Sequence, residues 1–140
     1  METQSISSVA EAFFEACETG KGWSVCSPFC TSDATFTAQA EPLADVPTLA
    51  GYTDWMQAIS SVFPGASYEL KAWAIDEPRQ TVVAYAVFYA THTGEGGPVP
   101  PTGKSMSTDY VYVMQFSGSK IRHMIKIWNS GLALKTIGWI

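Results

Sequence analysis

Basic residues are scarce in this sequence, where eight Lys and Arg stand singly against thirteen Asp and Glu for a net charge of −5. With no basic stripe to neutralise a run of phosphates, nucleic acid is not an expected partner. Long apolar runs are missing too. Nothing approaches the roughly eighteen consecutive apolar residues of a membrane span, so no membrane association is expected. The start, Met-Glu-Thr-Gln-Ser, has neither the basic region nor the apolar segment of a secretory leader, and the expected location is the cytoplasm. Cysteine is limited to Cys17, Cys26 and Cys30, with no His or Cys at zinc spacing, so no metal site is expected. Buried thiols are the simpler reading, although Cys26 and Cys30, four positions apart, leave a redox pair open. Histidine occurs only at His92 and His123.

What is present suits one domain spanning residues 1–140, with 46% apolar and 13% aromatic residues to build a core. Ile6, Val9, Ala10, Phe13, Phe14 and Cys17 recur at helical spacing and predict an amphipathic helix over Ser5 to Glu18, capped by Ser7 or Ser8 and stopped at Gly20. A shorter helix is expected from Trp23 to Cys30, bent near Pro28, then a brief strand from Asp33 to Ala38. Gly51 opens a third predicted helix, Tyr52 to Phe63, whose stripe is Trp55, Met56, Ile59 and Phe63; Pro64-Gly65 ends it. Strands follow over Ser67 to Asp76, Gln80 to Thr93, Ser105 to Ser117 and Lys120 to Trp128. Turn residues between them imply an antiparallel meander, and the helices must cover one face of it in an α+β fold.

The segment from Thr91 to Gly103 is rich in Gly, Pro and Thr and lies between two strands. Such a loop builds no core of its own and is expected to cross the rim of the sheet, placing His92 at the mouth of a pocket. Ala84, Ala86 and Ala90, in phase with His92, would leave room above the sheet. With a two-residue hairpin at Gly118-Ser119, Ser117 pairs with Lys120, Asp109 lies opposite Trp128 and Val111 opposite Lys126. Asp109 and Lys126 would then be diagonal neighbours on one face with Val111, Val113, Met124 and Trp128. A one-residue slip would put Asp109 opposite Ile127 and separate the two charges.

Thr91-His92-Thr93-Gly94, then Pro101-Thr102-Gly103-Lys104, Ser119-Lys120-Ile121 and a last strand ending Trp128-Asn129 resemble the SnoaL-like polyketide cyclases. These belong to the nuclear transport factor 2-like superfamily. The resemblance implies a cone: a curved antiparallel sheet covered on its concave face by three N-terminal helices, with a deep apolar pocket between the layers and homodimers formed through the sheet. It also implies a cofactor-free enzyme in which a pocket carboxylate or histidine moves protons on a small hydrophobic or polyketide-like molecule. In that pattern the last strand carries an acid near its middle and another three positions on. Here Lys126 and Asn129 occupy those positions.

The expected catalytic set is therefore His92 or Asp109 as base with Lys126 holding a developing oxyanion, in a cyclisation, isomerisation or dehydration. Trp55, Ile59, Phe63, Val111, Met124, Trp128 and Asn129 are the expected ligand wall. Each has a plainer alternative. His92 can simply be solvated, Asp109 can pair structurally with Lys126, Lys126 can reach out to solvent, and Asn129 can cap the turn before Leu132. His123, between Ile121 and Ile125, reads as a core or interface histidine. Loss of the last-strand acid favours a non-catalytic binder of hydrophobic ligands, and retention of the histidine loop favours an enzyme. A purely structural dimer module would fill the pocket with its own side chains.

Overall fold

The computed structural model describes residues 5–140, so the expectation drawn from the Met1–Gln4 start lies outside the described residues. The elements are α1 (Ile6–Glu18), α2 (Trp23–Cys26), β1 (Cys30–Ala38), α3 (Leu49–Val62), β2 (Ser67–Asp76), β3 (Thr81–Thr91), β4 (Ser105–Ser117), β5 (Lys120–Trp128) and α4 (Ser130–Thr136). Single 3-10 turns, Ser27–Phe29 and Glu41–Leu43, fall where Pro28 and Pro42 fix the backbone without an amide donor. Helix α1 is capped by Ser5, one turn earlier than Ser8, because the Ser5 hydroxyl accepts the Ser8 amide. Helix α3 starts at Leu49 instead of Tyr52, since Thr48 accepts the Gly51 amide. Cys30 opens β1 and does not share a helix face with Cys26.

The sheet order is β1-β5-β4-β3-β2. Strands β2 to β5 form the expected antiparallel meander, but β1 joins its edge parallel to β5. Helix α1 packs its stripe on the sheet, burying Phe13 and Phe14, and Phe14 meets Tyr112 edge-on at 5.3 Å between ring centroids. Each such phenylalanine contributes about 1.5–3 kcal/mol of burial. Helix α3 lies across the same face, where Tyr52 stacks on Phe36 at 4.3 Å. A fourth helix, α4, was not anticipated; Asn129 caps it by accepting the Leu132 amide, the turn-capping role open to that residue. Cys17, Cys26 and Cys30 are free, buried thiols, and burial first, then nearby negative charge, pushes Cys26 up to about 12.

The last hairpin corrects the expected register. Ser117 does pair with Lys120, but a bulge follows between Gln115 and Phe116, so Tyr112 sits opposite Lys126, Tyr110 opposite Trp128 and Val111 opposite Ile127. Because side chains alternate along a strand, one extra residue moves everything beyond it to the other face. Lys126 and Trp128 join Tyr110 and Tyr112 under the helices. Asp109 and Val111 are left on the opposite, convex face.

Candidate functional site

The Gly/Pro loop is closed at its base by mutual bonds: the His92 amide donates to the Lys104 carbonyl and the Gly103 amide to the His92 carbonyl, each at 2.9 Å. It is also pinned to α3, since the Gly94 amide donates to the Val62 carbonyl. A Cβ at Gly94 would lie 2.0 Å from the Ser61 carbonyl oxygen, so only glycine allows this approach. Pro98 of the loop then edges a cavity of about 320 Å³. Trp55, Met56 and Ile59 of α3 with Phe63, the residue that caps its end, form one wall; Phe88, Met106, Thr108, Tyr110, Lys126 and Trp128 form the sheet wall. Glu41 and Pro42, with Leu134, Ile137 and Trp139 of the C-terminal segment, complete the rim. The lining is almost wholly apolar, the setting in which a few polar groups decide what binds and reacts.

Those groups come together at the inner end. Glu18, the last residue of α1, is 8% exposed and accepts a hydrogen bond from the Tyr110 hydroxyl at Oε2, 2.9 Å away. Its other oxygen, Oε1, is buried without a partner. Burial pushes the Glu18 acid above the usual carboxylate range, against the pull of Lys126 and of the Tyr112 and Tyr110 hydroxyls. Lys126 is 7% exposed, and its Nζ donates to the Tyr52 hydroxyl at 3.1 Å; Tyr52 in turn bonds the Tyr112 hydroxyl. The ammonium lies 4.3 Å from the Trp128 ring centroid and 5.2 Å from that of Tyr52. Desolvation holds Lys126 down to about 8, with Glu18 and Cys17 opposing the shift. The two ion pairs among the described residues, Lys71 with Glu69 and Arg79 with Asp76, are both elsewhere. The cavity thus holds an acid and a base, each desolvated and neither neutralised by direct contact.

The remaining expected residues separate from this cluster. His92 is fully buried, not at the mouth, and is outside the cavity lining. Its Nδ1 accepts from the Thr102 amide at 3.2 Å and from the Trp139 indole at 3.0 Å, while Nε2 is unpartnered and faces Gly97. Two donors on Nδ1 place the proton of the neutral ring on Nε2. His92 therefore fastens the loop to the C-terminal segment, and it reaches the cavity only through Trp139 and Phe63, the lining rings it packs against edge-on. Asp109, on the convex face, accepts from the Tyr85 hydroxyl at 2.9 Å. His123 is half-buried against Thr35 and Thr37 of β1. Trp55, Ile59, Phe63 and Trp128 line the cavity; Met124 is buried in the core beside it, and Val111 and Asn129 point elsewhere. Glu18 escaped the sequence reading although it stands four residues after Phe14, in phase with the apolar stripe of α1.

No group of three or more metal-ligating side chains occurs among the described residues, and no helix is long and apolar enough to cross a membrane. Comparison with curated protein sequences finds no match. Among solved structures, the chain is similar to IdmH, a candidate polyketide cyclase from Streptomyces antibioticus. The two share 18% identity over 96% of this chain and 99% of that one, with a TM-score of 0.78. AclR, a candidate hydroxylase from Streptomyces galilaeus, is 22% identical over 94% of this chain and 87% of its own, with a TM-score of 0.70. A nuclear transport factor 2-like protein from Burkholderia thailandensis matches 97% of this chain and 98% of its own at 17% identity and a TM-score of 0.73. These likenesses establish the cone fold. The family model for SnoaL-like polyketide cyclases matches residues 8–135, nearly the whole of helices and sheet, and the chain belongs to that family.

Proposed function

We propose that this protein is a cofactor-independent proton-transfer catalyst acting on a small, largely apolar carbonyl compound of polyketide-like character, with Glu18 as general acid and base. The observation that carries the reading is the unpartnered Glu18 Oε1 in an apolar cavity that also holds Lys126. A carboxylate stripped of water is a stronger base than an exposed one, and an ammonium nearby stabilises the enolate that forms when it takes an α-proton. Tyr110 holds Glu18 in place by its hydrogen bond, and the Tyr112 and Tyr110 hydroxyls moderate its affinity for protons. Lys126 takes the oxyanion role expected of it from the sequence. The base role passes from His92 and Asp109 to Glu18, because neither of those lines the cavity. Cyclisation, isomerisation and dehydration all begin with such a step.

The test is wash-in of deuterium at the α-carbon of 2-tetralone. Wild-type protein should catalyse the exchange, Glu18→Gln should abolish it, and Asp109→Asn should leave it intact. Exchange that survives in Glu18→Gln would overturn the assignment. Ligand binding without exchange in the wild type would instead support the second reading, a non-catalytic carrier of hydrophobic molecules, which the almost wholly apolar lining favours.

The expected homodimer belongs to the same proposal. The convex face presents Ile127, 58% exposed, over Val111 of the adjacent strand, with Tyr85 and Tyr89 on β3 bonded to Asp109 and Glu69, a mixed apolar and polar surface that a second copy could cover.

A further inference from the structure

We propose that Lys126 forms a covalent imine with the ligand, which makes the substrate class of this cavity an apolar aldehyde or ketone bound through its carbonyl carbon. The inference rests on the proton-transfer reading of the same site and adds a bond between protein and ligand.

The first argument is the isolation of the amine. Nζ has room for three hydrogen bonds and makes one, to the Tyr52 hydroxyl at 3.1 Å, and it joins neither of the ion pairs among the described residues. A lysine kept inside a protein for structure alone is ordinarily neutralised by a carboxylate in contact, because an unpaired buried charge is costly. Glu18, the carboxyl that shares the cavity, forms no ion pair with the amine, and the hairpin register puts Asp109 on the other face of the sheet. The second argument is the surroundings. Trp128 flanks Nζ at 4.3 Å from its ring centroid, Tyr110 at 5.5 Å and Trp55 at 5.7 Å. These rings exclude water, which drives loss of water from an adduct and protects the imine from hydrolysis. The third is protonation. The titratable groups around the amine are Glu18 and Cys17 from α1, Tyr52 from α3 and Tyr110 and Tyr112 from β4; burial outweighs them and leaves a sizeable neutral fraction near pH 8.

In the reaction the Nζ lone pair attacks the carbonyl carbon while the C=O π pair moves to oxygen. Oxygen takes a proton and Nζ loses one, giving a carbinolamine. A second protonation lets the oxygen leave as water as the nitrogen lone pair forms C=N, and the resulting iminium gives up its remaining N–H proton to leave the imine. The balance is amine plus carbonyl to imine plus water, with no oxidant or reductant. Tyr52 stands beside Nζ and is bonded to Tyr112, so this hydroxyl pair can pass the protons between nitrogen and oxygen.

The test is reductive trapping with 2-naphthaldehyde and sodium cyanoborohydride at pH 8, followed by peptide mass mapping. Lys126 should be labelled at least about tenfold faster than Lys21, Lys104, Lys120 or Lys135, and Lys126→Arg, which keeps the charge, should lose that fast label. Labelling of Lys126 no faster than the others, or none, overturns the proposal, whether or not the aldehyde quenches tryptophan fluorescence. The two readings of the site fail separately. Glu18-dependent exchange of 2-tetralone without labelling of Lys126 leaves proton transfer standing and removes the imine. Labelling of Lys126 without such exchange supports the imine and removes proton transfer.

Discussion

The Tyr110 hydroxyl donates to Glu18 Oε2 at 2.9 Å and so ties the end of α1 to the middle of β4. The bond carries consequences for both stability and acidity. In Tyr110→Phe the carboxylate loses its one charge-assisted bond, which should destabilise the fold by about 1–3 kcal/mol in denaturant unfolding. The Glu18 acid should also move further up, since Tyr110 is one of the groups holding it down.

Lys126 makes stability depend on pH in the alkaline range. Its folded pKa of about 8 lies below the ordinary 10.5, so the unfolded chain binds the proton more tightly. The Lys126 contribution is therefore most favourable above 10.5 and falls as pH drops toward 8, by about 3 kcal/mol for a shift of this size, opposite in sign to that of the buried Cys26 and Cys30 thiols, which burial pushes up from 9.0 to about 12. Lys126→Met removes the opposing gain, so stability should fall more steeply in the variant than in wild type in melting curves taken between pH 8 and 10. A wild-type slope equal to that of the variant would contradict a desolvated amine.

His92→Ala should act on the fold and not on the chemistry. The substitution leaves the Thr102 amide and the Trp139 indole without their acceptor and opens a void against Phe63. A loss of about 2–4 kcal/mol is expected, with exchange activity per folded molecule retained. Full stability with lost activity would return His92 to the base role.

On the convex face, Ile127→Glu should weaken self-association without lowering the melting temperature of the monomer by more than a few degrees, because that side chain is mostly exposed. Analytical ultracentrifugation would read it. An unchanged sedimentation profile would argue against dimers formed through this face.

Periodicity made much of this architecture legible, and the reason is physical. The stripes Phe13-Phe14 and Trp55-Ile59-Phe63, and the alternation in β2 to β5, reflect burial on one face, which hydropathy records directly. The bulge between Gln115 and Phe116 left no such mark. It is a backbone event flanked by residues that suit either register, yet it decides that Lys126 faces the cavity and Asp109 does not. Glu18 was hidden differently. A charged residue at a helix end normally reads as solvated, and its partner Tyr110 is remote in sequence; only its phase with Phe14 marked it. His92 was found as a special residue, but its partner Trp139 lay in a C-terminal segment whose helix, α4, is too short to show a stripe.

The account rests on Glu18 being a desolvated carboxyl coupled to Lys126, and a carbon-13 NMR titration of its side-chain carboxyl tests that most directly. In wild type the Glu18 signal should titrate above the ordinary 4.5, and in Lys126→Met it should move further up as the stabilising cation is lost. A Glu18 carboxyl that titrates at the ordinary value in both proteins would contradict the account.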